Sequence, residues 1–213
     1  MPVDVKICGL SDPASVDVAV QAGARFVGFV FFAASPRAVT PARAGELAAR
    51  VPVGVTRVGL MVDASDSEID PVVQLSGIDV LQLHGRESPE RVAKVRDRFG
   101  LPVMKAVAIA GPQDLAIARE FEHAADMLLF DAKAPRWATR PGGNAEPFDW
   151  SLLGGSTWSV PWFLAGGLHP DNLADAVATT GAARLDVSSG VESAPGVKDH
   201  ERIRAFIAAA QAL

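Results

Sequence analysis

The chain has 213 residues, with 20 Lys and Arg against 25 Asp and Glu, so its formal charge is −5 and its length suits one domain or two small ones. Hydrophobic residues make up 49% and charged residues 21%, which argues against intrinsic disorder. The mild acidity, with no run of Lys or Arg, leaves no electrostatic footprint for nucleic acid or an anionic membrane.

Short β-branched or aromatic runs alternate with longer Ala-rich stretches of helical period, and the alternation repeats about eight times. Strands are expected at 3–7, 26–31, 56–61, 80–83, 103–107, 127–130, 162–164 and 184–187. Helices are expected between them at 11–22, 41–50, 66–75, 88–99, 112–121, 149–153, 170–179 and 198–210. Their starts carry readable caps, such as Ser11-Asp12-Pro13, Thr40 before Pro41 and Ser65 before Asp66. Eight such units at about 27 residues each are lean against the ~250 residues typical of a (β/α)8 barrel, but inside its range. A doubly wound open sheet would favour Gly-x-Gly-x-x-Gly after the first strand, where only Cys8-Gly9-Leu10 stands. The expected fold is therefore a single-domain (β/α)8 barrel spanning 1–213, with no linker.

Alternation along each strand assigns faces. In the first strand Val3, Val5 and Ile7 share one parity and should meet the helices, leaving Asp4, Lys6 and Cys8 inward. The same reasoning turns Gln82 and His84, Lys105 and Asp131 toward the barrel axis. A barrel packed only for stability would fill those layers with aliphatic residues, so a polar interior implies pairing or use.

Active sites of such barrels lie at the carboxyl ends of the strands. Cys8 ends the first strand and Asp131 the sixth, and a thiol facing a carboxylate could serve as base and acid. Taken alone, Cys8 also reads as a small buried hydrophobe and Asp131 as a salt-bridged loop residue. Ala165-Gly166-Gly167 and Ser188-Ser189-Gly190 follow the last two strands, where barrels commonly hold phosphate on backbone N–H groups. Arg37, in Ser35-Pro36-Arg37, offers a planar donor for a substrate carboxylate, although by itself it reads as a solvated loop charge. His84 could donate a hydrogen bond. No His-Glu-x-x-His, Cys-x-x-Cys or Gly-x-x-x-x-Gly-Lys-[Ser/Thr] pattern occurs, so neither metal nor cofactor is expected. The single cysteine, the absence of a signal-peptide pattern and apolar runs far below the about 18 residues of a membrane span point to a cytoplasmic protein.

Several segments together resemble phosphoribosylanthranilate isomerase, the tryptophan-pathway enzyme, nearly end to end. They are Lys6-Ile7-Cys8-Gly9-Leu10, Gly28-Phe29-Val30-Phe31 with Ser35-Pro36-Arg37, Arg57-Val58-Gly59-Leu60-Met61-Val62, and Leu81-Gln82-Leu83-His84-Gly85. Phe130-Asp131-Ala132, Leu164-Ala165-Gly166-Gly167-Leu168, Asp186-Val187-Ser188-Ser189-Gly190-Val191-Glu192 and Pro195-Gly196-Val197-Lys198-Asp199 continue the series. The resemblance implies a (β/α)8 barrel that converts N-(5-phosphoribosyl)anthranilate to the open-chain carboxyphenylamino-deoxyribulose phosphate by an Amadori rearrangement. It implies Asp131 as the general acid, which must hold a proton to open the furanose ring, and Cys8 as the general base at the sugar C2. Lys6 is then expected to bring the Cys8 pKa toward neutrality. Arg37 would hold the anthranilate carboxylate, with Gln82 and His84 lining the site and Asp186 orienting the network. The phosphate would rest on the amides of Gly166, Gly167, Ser188, Ser189 and Gly190. One departure lies in Gly142-Gly143-Asn144-Ala145, where the family usually ends on glycine, and Ala145 restricts positive φ in a loop expected to close over substrate.

Two other readings remain open on sequence. One is an aldolase-like barrel forming a Schiff base on Lys6 or Lys105. The other is a phosphosugar-binding barrel without catalysis, which would have no use for both Cys8 and Asp131. The expected partner is a phosphorylated small molecule, and the chain is equally compatible with a monomer or a homodimer.

Overall fold

In a computed structural model, which describes residues 3–133 and 147–213, eight parallel strands close into a barrel in chain order. They are β1 (Asp4–Cys8), β2 (Phe26–Val30), β3 (Thr56–Met61), β4 (Val80–Leu83), β5 (Val103–Ile109), β6 (Met127–Ala132), β7 (Trp162–Leu164) and β8 (Arg184–Val187). Closure is direct, with Asp4, Val5, Lys6 and Ile7 of β1 in register with Arg184, Leu185, Asp186 and Val187 of β8.

The connecting helices are α1 (Pro13–Ala22), α2 (Pro41–Ala48), α3 (Asp66–Leu75), α4 (Pro89–Phe99), α5 (Pro112–Glu120), α6 (Leu173–Thr180) and α7 (His200–Gln211). Local chemistry explains their starts. Asp12, Thr40 and Ser88 each accept from the backbone N–H three residues on, and each is followed by a proline whose missing N–H is no loss in a first turn. Gly23 and Gly100 end α1 and α4 in the left-handed region, where a side chain would be strained.

One expectation is corrected here, and one element is new. The sixth expected helix is a single 3-10 turn, Trp150–Leu153, because the five residues between Asp149 and Gly155 allow little more than one turn. An unforeseen hairpin, β9 (Glu192–Ala194) with β10 (Val197–Lys198), follows β8, and no alternating apolar pattern announced it. The segment containing Ala145 lies outside the described residues.

Side-chain parity sorts the strands into two packed regions. Val5, Ile7, Val27, Phe29, Leu81, Leu83, Val107 and Phe130 join the helices in the outer core. Val58, Val80, Met104, Ala106, Leu129, Phe163 and Ala165 fill the barrel, where Phe26 meets Phe163 edge to face at 5.0 Å. Above this apolar plug the interior turns polar. Among the described residues, no helix is long and apolar enough to cross a membrane.

Candidate active site

Lys6 projects into the barrel, is fully buried, and donates to Asp186 Oδ1 at 2.8 Å across the β1–β8 seam. A lone lysine there would be very costly, and the register partner on β8 supplies the compensating charge. Burial works against the charge on Lys6, but Asp186 and then Cys8 more than offset it, so its pKa lies above the ordinary lysine value.

One turn of parity further up β1, Cys8 is also buried. Burial pushes its thiol pKa up, and Lys6 and Lys198 pull it down while Asp186 pushes it further up. This corrects the expectation that Lys6 brings the thiol toward neutrality: burial, the largest influence, outweighs the cation, and Asp186 adds to it. Room for the thiol is made by Gly28, its register partner on β2, because a Cβ there would lie 2.9 Å from Cys8 Sγ and 3.1 Å from Cys8 Cα. Gly28→Ala is expected to move the thiol and lower kcat by about tenfold to a hundredfold, with an overpacking cost of about 1–3 kcal/mol. Steady-state kinetics beside a thermal melt would check this, and wild-type kcat would show that the thiol tolerates displacement.

Three strands away around the barrel, Asp131 ends β6 on the inward face. Its Oδ1 accepts from the Ala132 N–H at 2.8 Å, and its Oδ2 lies 3.3 Å from His84 Nε2. Behind His84, the Gln82 amide donates to Nδ1 at 3.1 Å, which leaves the ring proton on Nε2, facing the carboxylate. Gln82, His84 and Asp131 therefore form one chain of polar contacts from the barrel interior to its mouth. Gly166 (φ 83°) closes the far side, since a Cβ there would meet the Ala132 nitrogen at 2.6 Å and Asp131 Oδ1 at 3.1 Å.

The turns after β7 and β8 are pressed together, because a Cβ on Gly190 would overlap the Leu168 carbonyl. The amides of Gly166 and Gly167 donate to no backbone or side-chain acceptor among the described residues. After β8, Ser188 forms a bend that leads into a 3-10 turn, Ser189–Val191. Arg37 is not a solvated loop charge. It is buried, held by Glu192 through Nε at 2.6 Å and Nη2 at 2.7 Å.

Lys105 corrects the parity reading. Met104 and Ala106 occupy the barrel interior, so Lys105 between them points outward, where its Nζ meets Glu87 Oε2 and the Gly85 carbonyl at 2.8 Å each. Lys105 is the one polar residue in the apolar run Val103-Met104-Lys105-Ala106-Val107, which gave no alternation from which to tell the faces apart. Asp4 lies at the opposite rim of the barrel, 3.9 Å from both Arg25 and Arg184 and half exposed, far from the strand ends that carry chemistry.

The acid Glu87 went unnoticed in sequence because its work is done behind the site. It accepts from the backbone N–H groups of Asp63 and Gly85 as well as from Lys105, tying the loops after β3 and β4 together beneath His84. Burial opposes its charge, yet Lys105 and the backbone donors hold its pKa below the usual value. Among the described residues no cluster of three or more His, Cys, Asp or Glu is arranged to hold a metal ion.

Comparison with known proteins agrees with this arrangement. The family model described as N-(5'phosphoribosyl)anthranilate (PRA) isomerase matches residues 5–209. A curated relative, the N-(5'-phosphoribosyl)anthranilate isomerase of Paracoccus denitrificans (strain Pd 1222), is 58% identical over 212 residues, covering 100% of this chain and 99% of its own. The crystal structure of phosphoribosyl anthranilate isomerase from Thermotoga maritima superposes with a TM-score of 0.89 at 35% identity, covering 99% of this chain and 100% of that one. A phosphoribosyl anthranilate isomerase in complex with reduced 1-(o-carboxyphenylamino)-1-deoxyribulose 5-phosphate gives 0.83 at 32% identity, with 99% and 100% coverage. With a barrel whose mouth holds a thiol, a carboxylate and two abutting glycine-rich turns, the chain belongs to the N-(5'-phosphoribosyl)anthranilate isomerase family.

Proposed function

We propose that this chain catalyses the Amadori rearrangement of N-(5-phosphoribosyl)anthranilate to 1-(2-carboxyphenylamino)-1-deoxyribulose 5-phosphate in tryptophan biosynthesis, as one domain without a cofactor. The observation that carries the assignment is a lone thiol and a lone carboxylate at the ends of β1 and β6, each in a pocket shaped by a glycine, Gly28 and Gly166.

In this reading the substrate phosphate sits on the turns of Gly166, Gly167, Ser188, Ser189 and Gly190, which pins the sugar over the barrel mouth. Arg37 takes the carboxylate of the arylamine. Asp131 donates its proton to the furanose ring oxygen, the ring opens, and nitrogen lone-pair density forms the C1–N double bond of a Schiff base. Cys8, as thiolate, removes the proton from C2, and the electron pair of that C–H bond returns toward nitrogen to give an enolamine. Tautomerisation then yields the ketone. Gln82 and His84 hold Asp131 in place, and Asp186 keeps Lys6 beside the thiol as a fixed positive charge. A thiol with this task must stay reduced, which supports a cytoplasmic setting.

A Schiff base on the protein finds no footing, because Lys6 is paired with its pKa raised and Lys105 lies outside the barrel. The first test follows the loss of anthranilate-adduct fluorescence with freshly generated phosphoribosylanthranilate. Consumption that persists after dialysis against EDTA is the expected result. A folded protein that binds the reduced product analogue and leaves the substrate untouched would replace the isomerase with a binding barrel.

A further inference from the structure

Two cations and one carboxylate lie buried together beside the site. Arg37 grips Glu192 side-on through Nε and Nη2, and Lys198 Nζ reaches the same Oε1 at 2.8 Å. Side-chain exposure is 4% for Arg37, 5% for Glu192 and 0% for Lys198, so none of the three is a solvated surface charge. Burial opposes ionisation of Glu192, but Arg37 and Lys198 outweigh it and hold its pKa below the usual value.

The hairpin after β8 exists in a form that delivers both partners at once. Glu192 and Lys198 are cross-strand neighbours in its register. Its turn glycine, Gly196 (φ 83°), donates to Glu192 Oε2 at 3.2 Å and packs so closely on Pro36 that a Cβ would lie 2.5 Å from the Pro36 carbonyl oxygen. On the other side, Gly9, the residue after Cys8, leaves space for the Arg37 stem, which a Cβ there would overlap. Lys198 then continues to the Ser188 carbonyl at 2.9 Å and the Ser188 hydroxyl at 3.3 Å.

This geometry leaves one edge of the Arg37 guanidinium open. With Nε and one Nη2 hydrogen committed to Glu192, both Nη1 hydrogens and the second Nη2 hydrogen are unused among the described residues, a fork that matches one carboxylate. The cluster carries two positive charges against one negative, so one further anion completes it.

We infer that Glu192 is a positioning residue that sets substrate specificity: it aims the open edge of Arg37 at the arylamine carboxylate and, through Lys198, holds the Ser188 turn at a set distance from it. The site then selects molecules with an anion at each end. The inference rests on the carboxylate role proposed for Arg37.

The probes are the freshly generated adducts of ribose 5-phosphate with anthranilate and with aniline, which differ only in the carboxylate. The quantity read is the ratio of their kcat/KM values, with product followed chromatographically. Glu192→Asp keeps the charge but withdraws the carboxylate by one carbon, and is expected to cut the preference for the anthranilate adduct by about tenfold or more, chiefly through KM. Glu192→Gln should also lower it, as Arg37 and Lys198 then repel. Wild-type preference in Glu192→Asp, or equal losses on both adducts, would overturn the inference. So would a preference that rises in Glu192→Gln, since Glu192 would then only neutralise charge. Arg37→Met separates the two layers. If it loses the preference while the Glu192 variants keep it, positioning by Glu192 falls alone, and if it keeps the preference, the role of Arg37 falls and takes the inference with it. Failure of both Glu192 variants to fold would make the residue structural and equally end the inference.

Discussion

Asp131→Asn is expected to lower kcat by about 10²–10⁴-fold, the usual share of a positioned acid, while KM changes little. Asparagine keeps the volume of the side chain and an oxygen to accept from the Ala132 N–H, so the pocket under Gly166 is preserved. What disappears is the proton for the ring oxygen. Cys8→Ser should fall by a similar factor, because a hydroxyl of nearly the same shape is a far poorer source of a basic anion. The double variant should fall by less than the product of the two, since the acid and the base serve one reaction coordinate. Burial, the largest influence on Cys8, raises its pKa above the ordinary 9.0, and the base acts only when ionised, so kcat/KM should climb with pH on the alkaline side. Fluorescence decay assays with circular dichroism on each variant test this. Folded variants within tenfold of wild type would sink the acid and base assignment.

Lys105→Met should have the largest effect on stability. It leaves Glu87 buried and without its cation, a change that costs about 3–5 kcal/mol. For a chain of this size that is a fall in Tm of roughly 10 °C. Pairing it with Glu87→Met should recover part of the loss, and only part, because Glu87 also accepts from the Asp63 and Gly85 amides. The pair also shapes the acid limb of stability. The folded-state pKa of Glu87 is depressed, so its contribution is fully present above the unfolded value of about 4.5 and is lost as pH falls through the folded pKa. In Lys105→Met that acid-dependent loss should shrink. Urea titrations at neutral and acid pH would measure both effects, and a Lys105→Met cost below about 1 kcal/mol would show that the pair is replaceable.

How far these features were legible before folding differs from residue to residue. Strands β3, β4, β7 and β8 were read to the residue because each is a short run carrying aliphatic or aromatic residues at strand spacing, even where Arg57, Arg184 and Asp186 interrupt it. Parity put Lys6, Cys8, Gln82, His84 and Asp131 on the inward face correctly, since Ile7, Leu81, Leu83 and Phe130 beside them are apolar and claim the helix side. Lys105 was misplaced because both of its neighbours are apolar as well, and a lysine in a hydrophobic run can turn either way if an acid waits for it. That acid, Glu87, comes from a neighbouring loop, and no local pattern links the two.

The amino-acid order alone was enough for the barrel, its strand ends and the identity of the groups at them, because period, caps and turn residues act over distances of a few positions. Only the folded chain decided which charges neutralise one another. Lys6 with Asp186 lie 180 positions apart, and Arg37 with Glu192 lie 155 apart. Whether a buried cation remains a free field for a thiol or a substrate depends on such partners, and barrel closure and the β9–β10 hairpin bring them into contact.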